Sequence, residues 1–131
     1  MEILLFEVGG QRQALASRDV REVLPAVTVT PMVGAARFVE GVVNVRGSVL
    51  PVVDTRAWLG LPTRPIEPSD HLIVVCVDER SAMLCVDRAM ELVTLASGDF
   101  DAVTRIAKLA DGSVQVHAVE ALLSQVGIGL K

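Results

Sequence analysis

The chain of 131 residues contains no tyrosine, three phenylalanines and one tryptophan. With so few large rings, a core has to be filled by branched aliphatic side chains, and 23 valines are present to do it. Valine is stiff at χ1 and packs well on a pleated surface, so the composition points to sheet rather than to a helical bundle. Cysteine is limited to Cys76 and Cys85. Two cysteines make no disulfide framework, and their spacing matches no zinc pattern. They flank the turn expected at 78–81 and could face each other across a hairpin, as a redox pair or part of a metal site with His71 and His117, or, the favoured reading, as small buried hydrophobes in a reducing compartment. No apolar run approaches the roughly 20 residues that a membrane-spanning helix needs. The first seven residues have no basic start and include Glu2 and Glu7, so they read as a first strand rather than as a secretory signal. No basic cluster exists, the net charge is −4, and nucleic acid and anionic membrane are therefore poor partners. The expected location is the cytoplasm.

Catalytic signatures are equally scarce. No nucleophile stands with a base, and Gly9-Gly10 reads as a hairpin turn rather than a phosphate loop. His71 and His117 lie in or beside strand patterns and read as structural residues. Neither a cofactor nor a metal is expected. One stretch imitates an active site: Val52-Val53-Asp54-Thr55 resembles the strand end of aspartic proteases, in which two carboxylates share a proton. Here Arg56 follows, and a guanidinium beside Asp54 holds it ionised. The matching position in the second half offers Glu120 without the motif. Asp54 therefore reads as a helix cap, with an aspartic hydrolase as the remote alternative.

What is present is organised around residues 41–56. Two valine-rich runs, 42–45 and 49–53, flank Arg46-Gly47-Ser48, which predicts a hairpin with an arginine at its turn. Asp54 or Thr55 then caps a short helix through Trp58, stopped by Gly60 and Pro62. Upstream, strands are expected at 3–8, 13–16 and 27–30. Residues 17–24 are readable as a helical turn or as a strand. A loop is expected at 31–37. Residues 62–70 hold three prolines and read as the only linker. Residues 71–77 are apolar on both faces and predict a strand buried on both sides. A return strand at 82–86, an ambiguous segment at 88–95, a strand at 113–118 and a helix from 119 stopped by Gly127 complete the chain.

The halves repeat each other. Residues 6–24 align with 75–93 at an offset of 69, and Gly47-Ser48-Val49 aligns with Gly112-Ser113-Val114 at an offset of 65. A unit of about 60 residues is marginal by itself. The expectation is a mainly β fold with short helices, including a C-terminal one. It comprises two small barrel subdomains, roughly 1–61 and 71–131, that share a hydrophobic core.

Residues 41–56 also carry a resemblance. Gly41, Asn44, Arg46, Gly47, Pro51, Asp54 and Arg56 match the signature of the CheW family of chemotaxis coupling proteins. Val45 and Thr55 stand where leucine is usual, and Val20-Arg21-Glu22-Val23-Leu24-Pro25 and residues 116–123 extend the likeness over the whole chain. The resemblance implies two five-stranded, SH3-like barrels around a common core. It implies a non-enzymatic adaptor that couples methyl-accepting chemoreceptors to the histidine kinase CheA at membrane-associated receptor clusters. Carried over residue by residue, the receptor surface falls on Val20, Glu22, Gly41, Val42 and Arg46, with an ion pair between Arg46 and Glu22 expected to shape it. The segment 96–103 is shorter than the family's. It motivates the alternative of a divergent module that binds receptor but not kinase, or that serves a motility or surface-sensing pathway.

Overall fold

A computed structural model describes residues 1–32 and 37–126. Residues 33–36 of the expected loop and the expected helix stop at Gly127 lie outside the described residues. The strands are β1 (Glu2–Val8), β2 (Gln11–Ala16), β3 (Val20–Pro25), β4 (Val39–Val45), β5 (Ser48–Asp54), β6 (His71–Val77), β7 (Arg80–Val86), β8 (Arg88–Thr94), β9 (Phe100–Asp101), β10 (Ile106–Leu109) and β11 (Gly112–His117). Two helices follow their hairpins, α1 (Thr55–Trp58) and α2 (Val119–Gln125). Both ambiguous segments are strands, the first preceded by a 3-10 turn at Ser17–Asp19. The strand expected at 27–30 is reduced to one bridge between Thr30 and Val42.

The strands form two sheets, β8-β1-β2-β11-β10-β9 and β3-β6-β7-β5-β4. Neither sheet is one half of the sequence, which corrects the division at 62–70. Each sheet takes its hairpin, β1-β2 or β6-β7, from one half and its other strands from the other. The repeat nevertheless holds: moving β1-β2-β3 onto β6-β7-β8 and β4-β5 onto β10-β11 converts one strand order into the other. The short β9 is the addition that makes one sheet six-stranded rather than five. Register fixes the offsets. Leu5↔Ala14 corresponds to Val74↔Met83, an offset of 69. Val52↔Met83 corresponds to Val116↔Ala14, an offset of 64 rather than 65. The second turn thus puts its glycine in the first strand position after the turn, opposite Leu109.

Alternation along the strands divides the core into three. From β1, Ile3 and Leu5 enter a cluster with Ala14, Ala107 and Val116 on the first sheet. Leu4, Phe6 and Val8 enter a central cluster with Ile73, Val75, Leu84, Leu122 and Leu123. From β6, Leu72 and Val74 enter a third cluster with Val43, Leu50, Val52 and Met83. β1 and β6 are therefore apolar on both faces because each separates two cores.

The proline-rich segment is not a slack linker. Arg56 donates through Nη2 to both Asp87 carboxylate oxygens, at 2.9 and 2.8 Å, and through Nη1 to the Pro62 carbonyl at 3.3 Å. Arg64 donates to Asp70 and Asp87 and to the Pro65 carbonyl. Burial alone would raise the Asp70 carboxyl, but hydrogen bonds from Arg64 and the Glu67 amide outweigh it and hold it below the usual carboxylate range. Asp87 also accepts the Gly9 amide, tying the β1-β2 turn to the same node. The cysteines do not face each other: Cys76 lies opposite Ser81 and Cys85 opposite Leu72, and both are free. Burial, with Asp70 next to it, pushes the Cys85 thiol up to about 12. Both histidines have hydrogen-bond partners within the fold. His71 Nδ1 accepts the Ala89 amide at 2.8 Å, and His117 Nε2 meets Gln13 Oε1 at 2.7 Å. The tryptophan is partly buried against the central cluster, tilted against His117 with Nε1 donating to Gln125.

Candidate functional site

The β4-β5 hairpin closes with the pair Val45↔Ser48, leaving Arg46 and Gly47 as the two turn residues. Both take left-handed backbone, φ 49° and 88°. Two successive positive φ values are what a two-residue turn needs to follow the twist of its strands. Asn44 Oδ1 accepts the Gly47 amide at 2.9 Å and fixes the turn from inside. Glycine suits its place, whereas an arginine there takes a conformation that costs about 1–2 kcal/mol for a residue with a Cβ. A residue that works against its own turn is a marker of function.

The side chain reaches across the sheet end to β3. Arg46 Nη2 lies 2.6 Å from Glu22 Oε1, and Nη1 lies 2.9 Å from Oε2, a two-pronged ion pair. The hydrogen bond from Arg46 holds the Glu22 carboxyl below its ordinary value. Arg46 is exposed and Glu22 only partly buried, so the pair contributes little to stability and mainly fixes the shape of the surface. Arg21, Val45, Leu50 and Val74 join them around a surface pocket of about 290 Å³. Arg21 also donates to Cys76 Sγ at 3.2 Å.

The other carried-over residues sit elsewhere. Val20 packs against the central core and pairs with Val75. Gly41 and Val42 lie farther along β4, beneath the extended segment 26–30. A Cβ on Gly41 would stand 2.2 Å from the Thr30 carbonyl oxygen. Val42 gives its amide to Thr30 at 2.9 Å and takes the Thr30 amide at 3.0 Å. Its backbone groups thus point away from β5, so its partner Pro51 is not asked for the N–H it lacks. The structure brings Glu22 and Arg46 together, seats a strap on Gly41 and Val42, and packs Val20, partly buried, against the central core.

Asp54 caps α1, its carboxylate accepting the Ala57 amide at 3.1 Å. The position matching it in the other half is Ala118, which caps α2, rather than Glu120. The carboxylate that does neighbour Asp54 is Glu40, overlooked in the sequence although an acid stands there inside a valine strand. The space they share with Arg56, Arg64, Asp70 and Asp87 is about 10 Å³, too small for any substrate. The hydrolase reading ends there.

Thr55, where the family usually has leucine, is fully buried, and its hydroxyl has no partner among the described residues. Replacing Thr55 by Val keeps the shape and removes an unpaired hydroxyl, so Thr55→Val is expected to stabilise the fold by about 1 kcal/mol. Denaturant titration at constant m-value checks it.

The site is one-sided. The second-half position matching Arg46 is Ala110, and near it Arg12 on β2 pairs with Asp111 at 2.9 and 3.0 Å. Glu91, which matches Glu22, has no turn arginine to meet.

Fold and site together define a two-copy β-sheet module that offers shaped surface rather than a reaction cleft. The chain belongs to the CheW-like domain family, whose model matches residues 2–126. The chemotaxis protein CheW of Rhizobium meliloti is 37% identical over 108 residues, covering 81% of this chain and 68% of that protein. Protein FrzA of Myxococcus xanthus is 33% identical over 98 residues, covering 75% of this chain and 61% of that one. The crystal structure of the scaffolding protein TtCheW from Thermoanaerobacter tengcongensis superimposes with a TM-score of 0.77 at 25% identity, covering 88% of this chain and 82% of the other. The chain thus spans about two thirds of the length of these two curated relatives.

Proposed function

We propose that the protein is a non-enzymatic adaptor joining the cytoplasmic tip of methyl-accepting chemoreceptors to the regulatory domain of the histidine kinase CheA, at receptor clusters on the membrane. The observation that carries this reading is the Arg46–Glu22 pair, built on a turn that disfavours arginine and absent from the equivalent end of the other sheet. Val20, Gly41 and Val42 support that surface from the core and from the strap rather than touching the partner through long side chains. Membership of a family whose solved relative is titled a scaffolding protein supports it as well. No helix of the described residues is long and apolar enough to cross a membrane.

Reconstitution of the purified protein with a receptor fragment and the kinase tests the proposal, scoring the ternary complex and kinase activity. Arg46→Glu is expected to weaken receptor binding at least tenfold with an unchanged melting temperature. It leaves Glu22 facing a like charge, so the exchange Arg46→Glu with Glu22→Arg is expected to restore the pair and part of the binding. Unchanged co-sedimentation of Arg46→Glu with receptor membranes sinks the proposal. Binding of receptor without kinase would instead select the divergent module. A second reading, in which the chain serves another motility or surface-sensing pathway, is kept open by the likeness to protein FrzA, a relative not named for chemotaxis.

A further inference from the structure

The segment 26–30 crosses β4 as a strap. It is held by the Ala26 amide on the Asp70 carbonyl and by the Thr30–Val42 pair. Residues 26–29 form one wall of a groove of about 550 Å³; Pro65, Ile66, Glu67 and Pro68 form the other, and Glu40 lies between them. Glu40 is the residue at which the β4-β5 register slips, between Val39 and Gly41. The slip turns its side chain toward the closed polar space behind the groove. Asp54 at the end of β5 and Asp70 before β6 face it there, with Asp87 and Cys85 in the same space. The two cations within reach are committed, Arg64 to Asp70 and Asp87 and Arg56 to Asp87. Glu67, on the groove's far wall, pairs with Arg64 at 3.6 Å. The strap itself carries no titratable group. As an ionised carboxylate Glu40 leaves a buried oxygen, Oε2, with no donor among the described residues. As a neutral acid it can donate to the Asp54 carboxylate, which is within hydrogen-bonding reach.

We propose that Glu40 is held as the neutral acid in this closed space, that its proton latches the strap across Gly41, and that loss of the proton releases the strap while the rest of the fold stays closed. Burial first, and then the Asp54 and Asp70 charges, raise the Glu40 carboxyl from 4.5 to about 7. The closed state therefore holds a proton that the opened, solvated state has lost. Closure is strongest in acid, weakens as pH rises from about 4.5 through about 7, and is constant above that. The latch is independent of what binds at Arg46.

Amide hydrogen exchange by NMR tests it, read at Val42, whose N–H is bonded to the Thr30 carbonyl. After correction for intrinsic base catalysis, protection at Val42 is expected to fall about tenfold per pH unit across that window and then level off. Glu40→Gln is expected to keep its acid-side protection throughout. Amides of β1, on the other sheet, should show no such fall. A flat profile at Val42, an identical profile in Glu40→Gln, or a parallel loss in β1 overturns the proposal. In the unaltered protein, the side-chain carboxyl carbon of Glu40 should titrate with a midpoint of about 7, and a midpoint near 4.5 overturns the proposal without any variant.

Discussion

Separated at the proline-rich segment, the polypeptides 1–61 and 71–131 are expected to show no cooperative melting alone and to recover a sheet spectrum when mixed in equal amounts. The reason is the exchange of hairpins between sheets. Fragment 1–61 keeps β1-β2 but loses β8 and β11, which flank that hairpin. Its β3 loses β6, and its β5 loses β7. The central cluster loses Ile73, Val75, Ala82, Leu84 and Val86 together with every contribution from α2. What remains is two detached hairpins and an orphan strand, and an isolated hairpin is marginal at best in water. The loss is the whole stability of the fold, not a fraction of it. Circular dichroism and sedimentation of the fragments, separately and mixed, are the measurements. A cooperative transition in monomeric 1–61 would show that each half closes its own sheet, contrary to the strand order.

Among point changes, Gly41→Ala should have the larger effect of the two hairpin glycines. Its Cβ would meet the Thr30 carbonyl oxygen at 2.2 Å and the Thr30 carbonyl carbon and Val29 Cγ1 at 2.8 Å. Two of these are backbone atoms that no rotamer change can move. Either the strap lifts, giving up the Thr30–Val42 hydrogen bonds, or β4 deforms where it borders the third core cluster. Overpacking of this kind costs about 2–3 kcal/mol, a fall in Tm of about 10 °C for a chain of this size. Gly47→Ala is the control. Nothing lies within 4 Å of its added Cβ, so only the left-handed backbone is penalised, by about 1 kcal/mol. Equal losses in the two variants would show that the strap does not press on Gly41.

The sequence spoke clearly where a residue's surroundings follow from its own alternation. Residues 71–77 announced a strand buried on both faces, and β6 does border two cores. Gly47 and Asp54 announced a turn and a cap because each acts within three residues of itself, while the clasp by Asn44 was not read from the sequence. The Arg46–Glu22 contact spans 24 positions and came from family likeness, not from pattern. Partner choice between strands was out of reach, since alternation says which face a side chain takes but not which strand lies alongside. Hence the halves were visible and their exchange was not. The glycine in Gly112-Ser113-Val114 drew the alignment one residue off, whereas backbone pairing sets the offset by the turn. Val27 and Val29 looked like a strand, yet only Thr30 reaches β4. Glu40 was hidden because a register slip, invisible in the letters, decides where its carboxylate points.

The interleaved hairpins give the molecule an approximate two-fold axis that its side chains break. One turn carries an arginine at position 46 and the turn that the axis maps onto it carries Ala110, so a body built twice over has two chemically different ends.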